Sequence, residues 1–185
     1  MLKAESANLS EQGISVVSGK DSIAEHLDLS GDTIAEFRGS LASVRSVNLS
    51  NNALSPEGLA SAVTALPNVS TFVASGCGLA AFPLSGLGQL ANVQIPGNEV
   101  ESLTNVQLAK AKWLDASNNK IASLEGLDQA SDSLERVNLS GNQLVRFPNA
   151  NFLLSSVKNL DISGNQVASI NSLAKLNALF PKYVF

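Results

Sequence analysis

One short pattern recurs along the chain at intervals of 20–25 residues. Its clearest copies are VRSVNLSNNAL (44–54), LERVNLSGNQL (134–144) and VKNLDISGNQV (157–167). Each copy has apolar residues at its first, fourth, sixth and eleventh positions and Asn at its ninth. Such a period indicates a solenoid, in which each unit buries its apolar face only against the neighbouring units.

Weaker copies fall into the same register. A degenerate first copy at 4–14 carries Gln12 at position 9, and further copies begin at residues 24, 69, 90 and 111. In the seven copies that follow the first, position 9 is occupied by Asp32, Asn52, Cys77, Asn98, Asn119, Asn142 and Asn165. Registered copies over this length predict a single domain over 1–185, with about eight repeats and a truncated ninth strand at 180–185.

The order of apolar residues and Asn in each copy resembles the consensus of the leucine-rich repeat family, and the resemblance covers residues 4–185. The family resemblance implies an α/β fold, a curved leucine-rich-repeat solenoid. In this fold a parallel β-sheet forms the concave face, and short helices, 3-10 turns or loops form the convex face.

The segments that return between the strands resemble different subtypes of this family. Residues 51–66 resemble the ribonuclease-inhibitor type and predict a helix, because Ser55 can cap it and Pro56 suits its first turn. Residues 121–127 resemble the short phosphatase-regulator type. The Phe-Pro steps at 82–83, 147–148 and 180–181 resemble the leucine-rich repeats of oomycete receptor-like kinases.

Position 9 lies where the chain turns off each strand, beyond the inward-pointing positions 4 and 6. A buried Asn there can donate to and accept from backbone groups of the loop, so stacked copies are predicted to form a ladder of side chains. Cys77 takes the same interior position. This predicts a structural thiol rather than a nucleophile or a redox sensor, because a reactive thiol needs exposure and nearby positive charge.

Positions 3 and 5 face solvent on the concave sheet, and there we expect a ligand to bind. Trp113, the only tryptophan, stands at position 3, and Arg136 has the same position on the next strand. A guanidinium can stack on an indole, and both residue types are enriched at binding hot spots. Asp115 shares this face and can pair with Arg136 or Lys112. The other predicted contacts to a protein or peptide ligand are Asn92, Gln94, Asn138, Asn159 and Asp161.

Composition argues against several functions. A net charge of −4 with 15% charged residues argues against nucleic-acid binding, which would need a basic patch. One cysteine and one histidine allow no internal disulfide and predict no metal site, and no apolar run is long enough to insert into a membrane. Ser46, His26 and Asp28 can be drawn as a Ser–His–Asp arrangement. An open sheet offers no pocket or oxyanion hole, so we predict no enzyme and no cofactor.

Two functional interpretations stay open. Low charge and Ser- and Asn-rich repeats favour a ligand-sensing ectodomain of a receptor-like protein or receptor-like kinase, located extracellularly or at the cell surface. The free cysteine and the short repeats favour a cytoplasmic scaffold or regulatory subunit of the phosphatase-regulator type. Exposed terminal strands also permit edge-to-edge self-association through 180–185, where Phe180, Tyr183 and Phe185 would make the contact apolar.

Asn-x-Ser sequons occur at Asn8, Asn48, Asn68 and Asn138. Three of the four are the Asn-Leu-Ser of the repeat itself, on the concave strand. A glycan at those positions would obstruct the predicted binding face, so the sequons do not by themselves indicate glycosylation.

Overall fold

The computed structural model describes residues 6–20, 24–106, 108–130, 132–145 and 156–167. In chain order its elements are β1 (Ser6–Asn8), β2 (Val16–Lys20), β3 (His26–Asp28), β4 (Glu36–Ser40), β5 (Ser46–Asn48), α1 (Pro56–Ala65), β6 (Thr71–Val73), β7 (Asn92–Gln94), β8 (Trp113–Asp115), a 3-10 helix (Leu127–Ala130), β9 (Arg136–Asn138) and β10 (Asn159–Asp161). The predicted ninth strand at 180–185, with Phe180, Tyr183 and Phe185, lies outside the described residues.

Eight of these strands form one parallel sheet, in the order β1-β3-β5-β6-β7-β8-β9-β10. Each strand contributes positions 3 to 5 of its copy, and all neighbouring strands pair in the same register. His26 lies opposite Ser46, for example, and Trp113 lies opposite Arg136. The register of the sequence repeat is therefore the register of the sheet, which confirms the predicted solenoid.

The core follows the apolar positions of the repeat. Position 4, the middle residue of each strand of this sheet, is buried in β3, β5, β6, β7, β8 and β9, and the position-6 residues of the same copies are fully buried. These side chains form one continuous apolar cluster along the solenoid. The first copy differs because the described residues place no strand before it, and Leu9 at its position 6 is 42% exposed.

The return segments of the first two copies form a second parallel sheet, in which β2 pairs with β4. The sequence predicted helices, turns or loops here, so these two strands are an addition to the prediction. Glycines permit the close approach of the two backbones. A Cβ on Gly39 would lie 2.6 Å from the Gly19 carbonyl oxygen, and Gly39 has a φ of +81°.

The predicted helix is confirmed as α1, which packs against the other edge of β4. Ser55 caps its first turn, where the side-chain hydroxyl accepts a hydrogen bond from the Gly58 N–H at 3.0 Å. The Phe37 N–H of β4 donates to Ser61 Oγ at 2.9 Å. The helix thus satisfies a backbone donor that a further strand would otherwise have paired.

Position 8 of every copy has a positive φ, between 54° and 71°. Its occupants are Glu11, Gly31, Asn51, Gly76, Gly97, Asn118, Gly141 and Gly164. Gly and Asn adopt this left-handed conformation at little cost, whereas other residues are strained in it. The recurring Gly-Asn and Asn-Asn pairs are therefore turn chemistry, required where the chain leaves the strand.

The position-9 side chains form a ladder through the interior. Asn119 Nδ2 donates to the Ile95 carbonyl of the preceding copy at 3.0 Å. It also donates to Ala116 and Ser117 of its own copy, at 3.1 Å each. Asn119 Oδ1 accepts from the Val100 N–H of the preceding copy at 3.0 Å. Equivalent bonds are made by Asn52, Asn98, Asn142 and Asn165.

Asp32 departs from this ladder because it brings an acceptor where the other copies have a donor. Its Oδ1 accepts from the Gln12 N–H at 2.9 Å and the Ile14 N–H at 3.0 Å, as an amide oxygen would. Its Oδ2 takes the place of the amide nitrogen, is buried, and has no hydrogen-bond partner. A buried acceptor without a partner costs about 1–3 kcal/mol of stability.

Replacing Asn119 by Ala should lower the free energy of unfolding by about 2–3 kcal/mol, because three carbonyls and one N–H lose their buried partner. Urea denaturation followed by circular dichroism measures the change. The neighbouring Asn118→Gly is the control, since Asn118 is exposed and its left-handed backbone suits glycine. It should change stability by less than about 0.5 kcal/mol. Equal effects of the two substitutions would contradict the role of the ladder.

Asp32→Asn should raise the free energy of unfolding by about 1 kcal/mol, because an amide nitrogen replaces the unpartnered oxygen. Asp28→Asn is a matched control that removes the same charge. Asp28 Oδ1 accepts from Ser30, and an asparagine oxygen keeps those bonds. The comparison uses urea denaturation of both variants near neutral pH. A gain that both substitutions share would show that net charge, rather than the missing donor, limits stability.

Candidate functional site

The sheet gathers the predicted ligand contacts on four consecutive strands, β7 to β10. Each strand presents two of them, at positions 3 and 5, so they form two straight columns across the concave face. The position-3 column is Asn92, Trp113, Arg136 and Asn159. The position-5 column is Gln94, Asp115, Asn138 and Asp161. All eight side chains are half-buried or exposed, so a ligand can reach them.

Trp113 and Arg136 are direct neighbours in the first column. Trp113 is half-buried and Arg136 is exposed. The predicted stacking of the guanidinium on the indole is not formed, and within the described part of the chain the Arg136 side chain makes no hydrogen bond or ion pair. Its five N–H donors are therefore available to a ligand.

The sequence predicted that Asp115 can pair with Arg136 or Lys112, but it pairs with neither. Its Oδ1 instead accepts from the Ser117 N–H at 3.0 Å and the Ser117 hydroxyl at 2.8 Å. The same Asx turn recurs at Asn138, where Oδ1 accepts from Ser140. It accounts for the Asn-Leu-Ser sequons as local structure. Position 5 retains its second side-chain atom, Oδ2 in Asp or Nδ2 in Asn, to meet a ligand.

A row of charges at position 2 was not predicted as part of the site. Lys158 Nζ lies 2.7 Å from Glu135 Oε2, and the backbone ladder places Lys112 on the other side of Glu135. The hydrogen bond from Lys158 and the positive charges of Lys158, Lys112 and Arg136 hold the pKa of Glu135 below its usual range. The sequence signal for this row is the alternation of charge at position 2 of the last three described copies, which is Lys, Glu and Lys.

A shallow hollow of about 320 Å³ lies at the other end of the sheet, on β1, β3 and β5. Among its lining residues are His26, Ser46 and Asp28, and the register places Ser46 beside His26. No hydrogen bond joins Ser46, His26 and Asp28 there, and Asp28 Oδ1 instead accepts from Ser30 N–H and Oγ at 3.0 and 2.8 Å. Nor do the described residues contain a cluster of three or more His, Cys, Asp or Glu side chains that could hold a metal ion.

Cys77 occupies its ladder position in the interior, 5% exposed. Its thiol donates to the Leu49 carbonyl at 3.3 Å, where an asparagine would place Nδ2. Burial raises the pKa of the Cys77 thiol, against a smaller opposing effect of the backbone at Asn52 and Asn51. Both observations support a structural thiol.

Comparisons with known proteins bear on the fold. A family described as Leucine Rich repeat matches residues 40–61. The fold is similar to the crystal structure of an internalin (inlF) from Listeria monocytogenes, with a TM-score of 0.54 and 20% sequence identity. The match covers 94% of this chain and 59% of that chain, so this chain spans about three fifths of that length. Comparison with curated proteins gives no match.

Together with the registered strands, these findings show that the chain has the leucine-rich-repeat fold. At 20% identity the internalin shows the fold alone. The likeness to oomycete receptor-like kinases stays a prediction. Among the helices that the structure describes, none is long and apolar enough to cross a membrane.

The Cys77 thiol of the folded protein should react with Ellman's reagent at least about 100-fold more slowly than free cysteine near pH 8. Burial limits access, and the raised pKa lowers the thiolate fraction at any given pH below that pKa. The absorbance of the released thiolate measures the rate. In concentrated urea the rate should approach that of free cysteine. Fast labelling of the folded chain would show that the thiol is accessible and reactive.

Proposed function

We propose that the concave surface over β7–β10 binds a protein or peptide ligand and has no catalytic activity of its own. The leucine-rich-repeat fold suggests protein–protein recognition. One observation carries the choice of surface. The only tryptophan, half-buried, lies next to an exposed arginine that is unpaired among the described residues, on a face that is otherwise small and polar. Trp and Arg are the side chains most enriched at binding hot spots.

In this proposal Trp113 and Arg136 anchor the ligand, and the two columns around them supply hydrogen bonds. The residues that supply them are Asn92, Gln94, Asp115, Asn138, Asn159 and Asp161. Each Asx turn leaves one side-chain atom for this purpose, an acceptor in Asp115 and a donor in Asn138. The surface therefore offers both kinds of partner to a peptide backbone.

We further propose that residues 1–185 form a single domain that serves as the ligand-sensing ectodomain of a receptor-like protein or receptor-like kinase at the cell surface. The low content of charged residues, 15%, supports this proposal. The alternative is an intracellular scaffold or regulatory subunit of the phosphatase-regulator type. It is favoured by the free thiol of Cys77, since unpaired cysteines are typical of reducing compartments.

A capture experiment tests the site and the compartment together. The wild-type chain and Trp113→Ala are immobilised and exposed to extracellular and cytosolic fractions of the source cells, and mass spectrometry quantifies the retained proteins. We expect Trp113→Ala to reduce retention of at least one partner about 10-fold, because truncation of a hot-spot residue removes most of its contact. The fraction that supplies this partner identifies the compartment.

Glu57→Ala is the control for this experiment. Glu57 is exposed in the first turn of α1, away from the concave columns, so the variant should retain the same partners as the wild type. If Trp113→Ala also retains every partner, the result contradicts the proposed binding site on the concave face.

A further inference from the structure

Charge on the last three described copies is ordered along the strand direction. The amino-terminal ends of the strands carry three cationic side chains and one carboxylate. These residues are Lys112, Glu135, Arg136 and Lys158. Position 5, toward the carboxyl-terminal ends, carries Asp115 on β8 and Asp161 on β10. Two residues of extended strand, about 7 Å, separate position 3 from position 5.

One cation at the amino-terminal ends is already neutralised. Lys158 forms an ion pair with Glu135 at 2.7 Å. The side chains of Lys112 and Arg136 have no hydrogen bond or ion pair with any residue that the structure describes, and both are exposed. Trp113 is next to Lys112 in the chain and opposite Arg136 on the neighbouring strand. Both cations lower the pKa of Glu135 by their charge, but neither forms an ion pair with it, and Arg136 shares the concave face with Trp113.

The acidic positions are held in place by their own turns. Asp161 Oδ1 accepts from the Ser163 N–H at 2.9 Å, and bonds from the Ser163 backbone and side chain keep the pKa of Asp161 below its usual range. Asp115 Oδ1 is held in the same way by Ser117. Neither carboxylate forms an ion pair with Arg136, and each is held by its turn at the carboxyl-terminal end of its strand.

We propose that this face selects a partner segment in which an acidic side chain stands beside an apolar or aromatic one, a specificity that rests on the proposed concave recognition. The carboxylate of the segment binds Arg136, and the apolar side chain packs on Trp113. Asp115 and Asp161 repel a carboxylate at the other end of the strands, so the segment lies in one direction only. On a chain with a net charge of −4, this cationic site is a local exception.

Peptide selection tests this specificity directly. A phage-displayed library of random peptides is panned against the immobilised full chain, and selected peptides are titrated in solution. Trp113 is the only tryptophan, so the fluorescence of the chain reports contact at this position when the peptides lack tryptophan. We expect enrichment of Asp and Glu, a fluorescence change on binding, and an affinity that falls as salt is added.

Charge reversal supplies the matched comparison. Arg136→Glu should weaken binding of the selected peptides about 10-fold or more, and renewed selection on this variant should enrich Lys and Arg instead. Arg45→Glu is the control, because Arg45 is another exposed arginine that precedes β5, three strands away from Trp113. It should leave affinity and selection unchanged.

The outcomes separate the two proposals. Peptides that change Trp113 fluorescence but show no acidic enrichment, or that bind Arg136→Glu as tightly as the wild type, overturn the charge selectivity and leave concave recognition standing. Failure to select any peptide whose binding depends on Trp113 overturns the proposed concave site and the selectivity with it.

Discussion

The fold depends on one constraint: every backbone group that leaves the concave sheet for the interior must find a hydrogen-bond partner there. The position-9 amides meet this constraint across copy boundaries. Asn119 binds carbonyls of its own copy and of the copy before it, and it also accepts an N–H from that earlier copy. The same side chain therefore closes the turn of its own copy and links that copy to the one before it.

Because the register between neighbouring strands is fixed, the position of a residue within its copy determines where its side chain lies on the concave face. Each copy contributes one side chain to each of two columns, and neighbouring copies place theirs one strand spacing apart. No single copy can form a binding site. The proposed site combines Trp113, a neighbouring cation and two carboxylates, and these residues come from several copies that lie side by side. A repetitive scaffold acquires a specific surface in this way.

Periodic features could be predicted from the sequence because they follow from local chemistry repeated in register. The strands, α1 with its Ser55 cap, and the ladder position of Cys77 are of this kind. The pairing of β2 with β4 was missed because it depends on how closely two return segments approach at Gly19 and Gly39. The sequence predicted that Asp115 pairs with Arg136 or Lys112. Ser117, only two residues away, instead closes an Asx turn with Asp115, at little loss of side-chain entropy.

The pairing of β2 with β4 also sets the spacing of the convex side in the first two copies. Both sides of the first two copies advance by one strand spacing, about 4.8 Å, so these copies stack without a wedge between them. The next convex element is α1, and a helix with its side chains is about 10 Å wide. The convex side therefore changes from strand spacing to the width of a helix at α1, while the concave sheet keeps its strand spacing throughout.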